Sequence, residues 1–213
     1  MRYNTYLFDF DGTLVDSMPT FIEAFMRIMK KFEIDIPKDI VKTITPLGYK
    51  GAAEHLRVLG VPLTTEEILS EVNAFAEEAY HERVVLKTHV KETLEALCVR
   101  GNSLNILTAS PHGVLDPCLK RNGVYTLFDN VWSCEDFATT KADPAIYRMA
   151  AERIGKPVSE IIFLDDNYDA DKTAKSAGMR VYGVFDDSAR EFAAEIRAIT
   201  DRYITDFSEL LED

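Results

Sequence analysis

Two aspartates one residue apart, Asp9 and Asp11, close the apolar run Tyr6-Leu7-Phe8 near the start of the chain, and Gly12-Thr13 follows as a turn. Side chains alternate along a strand, so both carboxylates are expected on one side of its end. Acids that close repel one another, and a fold keeps them only with a compensating cation. A divalent metal beside a carboxylate able to react is equipment for phosphoryl chemistry. Three further segments could join them. Thr108-Ala109-Ser110 follows an apolar run, and a hydroxyl with backbone N–H groups ahead of a helix suits a phosphate oxygen, although a lone Thr there usually serves as a cap or turn. Lys141 stands just before the helix start Asp143-Pro144, where a lysine taken alone reads as solvated. Asp165-Asp166 ends another apolar run, and adjacent buried acids are costly unless a cation joins them. His and Cys are not clustered, which points away from zinc.

The elements that must deliver these residues are legible from Thr88 onward. A helix face of Val90, Leu94 and Leu97 ends at Gly101, a strand covers Leu104–Leu107, a helix Val114–Asn122 and a strand Asn130–Ser133. Asp143-Pro144 opens a helix that Gly155 ends. A strand over Glu160–Leu164, a helix to Gly178, a strand over Arg180–Phe185 and a helix over Ser188–Thr200 follow. Arg202–Ile204 reads as a last strand, and Asp206 with Glu209 caps a terminal turn. This alternation predicts an α/β fold, a Rossmann-like and mainly parallel sheet with helices on both faces. In such sheets ligands bind at the carboxyl ends of the strands, where all four segments fall.

Between Asp16 and Val84 the pattern is helical only. Phe21, Ile22, Phe25, Met26, Met29 and Phe32 mark one amphipathic helix, Ala52, Ala53, Leu56 and Leu59 a second, and Thr64 with Glu67 forms the capping box of a third. Residues 17–86 are therefore expected to form an all-helical insert, with 1–16 and 87–213 as the core domain. The Pro- and Gly-containing segment 45–51 breaks the helices. It is either a plain interhelical loop or a substrate-contacting one, with Gly48, Tyr49 and Lys50 as the candidate contacts.

Asp9-Phe10-Asp11-Gly12-Thr13-Leu14-Val15-Asp16-Ser17 resembles the first motif of the haloacid dehalogenase (HAD) superfamily of phosphatases. The likeness extends over nearly the whole chain: Thr108 matches the second motif, Lys141-x-Asp143-Pro144 the third, and Asp166, counted back from Gly178, the fourth. Ala142 stands where Pro is commoner after the lysine. The layout is similar to that of phosphoglycolate phosphatases and β-phosphoglucomutases, which carry a helical cap. The resemblance implies that Asp9 is the nucleophile that becomes an aspartyl phosphate, and that Asp11 is the general acid and base. The dehalogenase branch has a Tyr in place of Asp11. Thr108, the Ala109 amide and Ser110 would hold the phosphoryl group, with Lys141 stabilising its charge and that of Asp9. The implied cofactor is Mg2+, held by Asp9, Asp166, Asp165 and the carbonyl of Asp11. The further acid of some relatives falls on Ala170, flanked by Asp169 and Asp171, so which acid assists Asp166 stays open. The implied reaction is hydrolysis of a small phosphate monoester, with a sugar-phosphate mutase as the alternative. A phospho-aspartate signalling protein and a catalytically silent interaction module are weaker readings, since the first orders its acids differently along the chain and the second needs no intact set. His55, His81, His89 and His112 are expected to be surface or packing residues.

Composition bounds the partners. A net charge of −12 disfavours nucleic acid and anionic membranes, while a metal and a lysine can invert the field at one site for a small phosphorylated metabolite. Cys98, Cys118 and Cys134 show neither a disulfide framework nor a metal-binding doublet, and without a long apolar span or leader the chain is expected to be cytoplasmic. The residues fix no oligomeric state.

Overall fold

The structure is a computed structural model that describes residues 4–44 and 47–212. The chain divides into two compact units, one of Met1–Asp16 with Val85–Asp213 and one of Ser17–Val84.

The first unit is built on a six-stranded parallel sheet in the order β3-β2-β1-β4-β5-β6. Its strands are β1 (Thr5–Phe8), β2 (Ser103–Thr108), β3 (Asn130–Ser133), β4 (Ile161–Asp165), β5 (Arg180–Val184) and β6 (Arg202–Ile204). The strand nearest the N-terminus lies inside the sheet: Thr5 pairs with Ser103 of β2 on one side and Ile161 of β4 on the other. Every residue of β1 and β4 is buried, as expected for strands covered on both faces. Alternation divides the core in two. Leu7, Leu107, Phe163 and Val181 pack with Ile146, Tyr147 and Ala150 of α7 (Pro144–Ile154) and Ala174 of α8 (Tyr168–Ala177). Phe8 stacks instead on Phe207, 6.1 Å between ring centres, in the terminal 3-10 segment Phe207–Glu212. The sheet is thus a doubly wound α/β sheet, with α5 (Val90–Val99) and α6 (His112–Arg121) completing its crossovers.

Local signals set the helix ends. Asp143 caps α7 by accepting from the Ala145 N–H, Pro144 opens it, and Gly155 ends it in the left-handed conformation. Asn167 caps α8 through bonds from the Asp169 and Ala170 N–H groups. The stretch expected as one helix over Ser188–Thr200 is instead a 3-10 segment, Asp187–Phe192, followed by α9 (Ala193–Ile199). Asp186 accepts from Ser188 N–H and starts the tighter turn one residue before the apolar periodicity begins.

The second unit holds α1 (Met18–Lys31), the short α2 (Ile40–Ile44), α3 (Gly48–Val58) and α4 (Thr65–Glu82). Among the described residues it contains no strand. Thr64 and Glu67 form the expected capping box, and Phe21 of α1 meets Tyr80 of α4 edge-on. The segment expected to break the helices is helical from Gly48 onward: the buried Ala52, Ala53 and Leu56 outweigh the roughly 1 kcal/mol cost of each helical glycine. Lys50 is exposed on this first turn. Thr45 and Pro46, like the surroundings of Gly48 and the side chain of Tyr49, lie outside the described residues.

Candidate active site

β1 ends at Phe8, but its ladder continues through the Asp9 N–H, which donates to Leu164 O at 2.8 Å. That bond sets Asp9 beside the tip of β4, where Asp165 and Asp166 emerge. The carboxylates of Asp9, Asp165 and Asp166 offer oxygens that all lie within 4.8 Å of one another, and all three residues are buried. Lys141, on the loop before α7, inserts its ammonium 2.8 Å from Asp9 Oδ1 and 2.7 Å from Asp165 Oδ2. The first pair is too poorly aligned to count as a hydrogen bond; the second is one. Tyr147 anchors the lysine's backbone, its hydroxyl shared between Lys141 O and Ala170 O at 3.1 Å each. Asp165 Oδ1 accepts from the Asn167 N–H at 2.8 Å, and Asp166 Oδ1 accepts from the Thr13 hydroxyl at 3.0 Å.

The strand alternation does not carry as far as Asp11. The chain leaves the sheet after Asp9 and closes a turn in which Leu14 and Val15 N–H both donate to Phe10 O. The Asp11 carboxylate lies outside the acid group and accepts from Ser110 Oγ at 2.5 Å, which joins the tips of β1 and β2. Thr108 is buried, and its hydroxyl oxygen accepts from the Ser110 N–H at 3.1 Å. That amide is therefore committed within the loop, while Ala109 is exposed at its apex.

Asp171 is only a flanking alternative in the sequence. The structure separates it from Asp169: Asp169 is exposed, whereas Asp171 is fully buried with no hydrogen-bond partner on either carboxylate oxygen. The signal for it is helical phase, because Asp171 shares the inner face of α8 with Ala174 and Ala177. Lys87 has no such signal. His112 lies partly exposed, as a surface histidine would, and its two ring nitrogens lie 2.9 Å from Asp116 and 2.8 Å from Asp136.

The electrostatics are those of a site short of positive charge. Burial, then Asp9, pushes the Asp165 carboxyl up to about 7 against the pull of Lys141. Burial, then Asp165, pushes Asp166 and Asp171 well above the carboxylate range. Burial alone would lower Lys141, but Asp165 and Asp9 overcome it and hold its ammonium well above the ordinary value. Lys141, with Lys87 acting on Asp166, faces more buried acid than the two lysines neutralise. An all-oxygen donor set of this kind, with two buried and unbonded oxygens on Asp171 behind it, fits a hard divalent cation such as magnesium.

The site is thus a doubly wound sheet with acids at the tips of two adjacent central strands, a lysine between them and a hydroxyl loop on a third. Comparison with known proteins supplies the class. The family model of haloacid dehalogenase-like hydrolases matches residues 6–184, and the chain belongs to that family. It is an enzyme of the phosphatase kind. Pyrophosphatase PpaX of Bacillus velezensis is 31% identical over 186 residues, covering 86% of this chain and 83% of that one. A phosphoglycolate phosphatase of Salmonella typhimurium is 27% identical over 201 residues, covering 83% of this chain and 79% of that one. A solved structure from Haemophilus somnus, described as a predicted phosphoglycolate phosphatase, shares the fold with a TM-score of 0.82 at 22% identity, over 100% of this chain and 98% of that one.

Proposed function

We propose that this enzyme hydrolyses a small phosphate monoester in two steps through an aspartyl phosphate on Asp9. The observation that carries the reading is Lys141, which holds a buried Asp9 and Asp165 together while Asp166 stands beside them. Asp9 is oriented by its backbone bond to β4 and by the lysine, so a carboxylate oxygen can attack phosphorus in line. The bond from phosphorus to the ester oxygen breaks, and Asp11 gives that oxygen its proton, so the alcohol leaves neutral. Asp11 then takes a proton from water as the water oxygen attacks phosphorus, and the Asp9 carboxylate is released with inorganic phosphate. The Thr108 hydroxyl and the Ala109 N–H would bind phosphoryl oxygens, while Ser110 gives its hydroxyl proton to Asp11 at the tip of β2. Lys141 stabilises the negative charge on the phosphoryl oxygens. Asp9, Asp165 and Asp166 would hold magnesium, with Asp171 as the acid behind them. When bound, the ion supplies charge neutralisation for the phosphoryl group and for the acids. The helical unit is assigned the choice of leaving group, with Tyr49 and Lys50 as its candidate contacts.

The test is phosphate release from a panel of small phosphomonoesters, with pyrophosphate and a sugar bisphosphate included, in magnesium and in EDTA, for wild type and Asp9→Asn. Magnesium-dependent release lost in the variant supports the hydrolase. Preference for pyrophosphate would match the activity in the name of the Bacillus velezensis relative, and phosphoryl return to a sugar without net release would replace the hydrolase by a mutase.

A further inference from the structure

Lys87 has no part in the chemistry above, yet its ammonium is fully engaged. It donates to Gly12 O at 2.6 Å and to Phe185 O at 2.6 Å, and it pairs with Asp186 Oδ2 at 3.1 Å. An ammonium has three N–H donors, and here each meets an acceptor on a different residue. The pair is largely enclosed, with the lysine side chain 20% and the Asp186 side chain 6% exposed. Asp186 is itself fixed, since its Oδ1 accepts from the N–H and hydroxyl of Ser188 at 2.9 and 2.6 Å.

Two of the three acceptors are backbone carbonyls. One belongs to the turn that follows β1, the other to the residue just past β5. The lysine therefore ties together two pieces of backbone that the sheet does not join directly, because β4 lies between β1 and β5. The segment that carries it is also bound to the same turn: Lys87 N–H donates to Leu14 O at 2.9 Å, and Asp16 N–H to Val85 O at 3.0 Å. Gly12 stands between Asp11, which reaches Ser110, and Thr13, whose hydroxyl holds Asp166. Fixing the Gly12 peptide fixes the relation between those two side chains. An arginine could not reproduce this, since its donors lie in one plane and these acceptors converge on a point charge.

We propose that Lys87 is a positioning residue, which holds the turn Gly12–Val15 so that Asp11 and Thr13 stand in register with Asp9 and Asp166. Its catalytic consequence rests on the hydrolase reading above; its structural consequence does not. A misplacement of the order of 1 Å at such a turn costs about 100-fold in rate.

Lys87→Met, Lys87→Arg and Asp186→Asn test it by steady-state kinetics on the best phosphoester and by amide hydrogen exchange. In Lys87→Met, kcat is expected to fall about 10- to 100-fold with KM within about threefold, and Lys87→Arg to recover little of the loss. The Leu14 and Val15 amides are expected to exchange at least about tenfold faster, while those of β4 keep their wild-type rates. A kcat within about twofold of wild type, or unchanged exchange in the turn, overturns the proposal. Should Lys87→Met not fold, Asp186→Asn, which keeps both carbonyl bonds but frees the ammonium from its charge partner, must show the same pattern in smaller degree; wild-type exchange and turnover there overturn it as well. A wild-type protein that cleaves no phosphoester defeats the hydrolase reading alone, and the exchange rates still decide for or against Lys87.

Discussion

The Asp166 carboxylate lies flush against the α-carbon of Gly12. A methyl group built there would stand 2.5 Å from Asp166 Oδ2 and 2.7 Å from its Cγ, and φ at Gly12 is +70°. Gly12→Ala thus combines left-handed strain with a clash on a side chain that the Thr13 bond prevents from yielding freely. The expected result is a Tm lower by about 4–10 °C and magnesium affinity reduced more than about tenfold, read by thermal unfolding and calorimetry. A lowered Tm with wild-type affinity would remove Asp166 from the proposed metal site.

The buried acids set a pH dependence. Asp165 is raised to about 7, and Asp166 and Asp171 are raised as well, in each case by burial first. Carboxyls with raised folded values bind protons that the unfolded chain, with values near 4, has already lost, so stability falls as pH rises between about 4 and 7. In EDTA, Tm is expected to climb as pH is lowered from about 8 to about 5.5, and saturating magnesium to raise Tm most at the alkaline end. Below about pH 4 the trend reverses, because Asp136 and Asp201 have lowered values: burial opposes the shift, while hydrogen bonds led by those from His112 and Lys175 prevail. Their contribution is lost as pH falls through those values. An EDTA profile that is flat from 8 to 5.5 would refute the account.

Removing the lysine exposes the same imbalance. Lys141→Met leaves Asp9 and Asp165 buried without their partner and is expected to cost about 3–5 kcal/mol, measured by urea unfolding without metal. Adding Asp165→Asn should return at least half of that loss. A double variant no more stable than the single one would place the value of Lys141 in packing rather than charge.

His112 supplies a smaller effect of known sign. Both ring nitrogens face carboxylates, so only the doubly protonated ring donates to each, and bonds to Asp116 and then Asp136 raise its value. The contribution is complete below the unfolded value of about 6.5 and disappears as pH rises through the raised folded one. With 40% of the side chain exposed it amounts to less than about 1 kcal/mol. The Tm difference between wild type and His112→Gln is expected at pH about 5.5 and not at about 9; a difference independent of pH would assign the ring to packing.

Much of the fold and of the site is legible in the sequence because strand tips and helix starts are local events. Asp143-Pro144 and the Thr64–Glu67 box carry their own hydrogen-bonding partners within three residues, and the structure has both. The acids of β1 and β4 are legible for the same reason. Which strand lies beside which is not, since the order β3-β2-β1-β4-β5-β6 is decided by packing of whole layers. Asp11 turns to Ser110 because the strand stops at Phe8, and no residue type announces where a ladder ends. Lys87 is invisible in sequence: its three acceptors come from residues 75 to 99 positions away.

The central place of β1 also governs how the protein is made. Thr5 leaves the ribosome well ahead of its partners, because Ser103 and Ile161 are encoded far downstream of it. At about 5–20 residues per second, the second edge of that strand stays unpaired for roughly 8–30 s of synthesis. During that interval Tyr6-Leu7-Phe8 is an apolar segment short of at least one neighbouring strand, so the open edge of β1 is a property of the nascent chain and not of the finished enzyme.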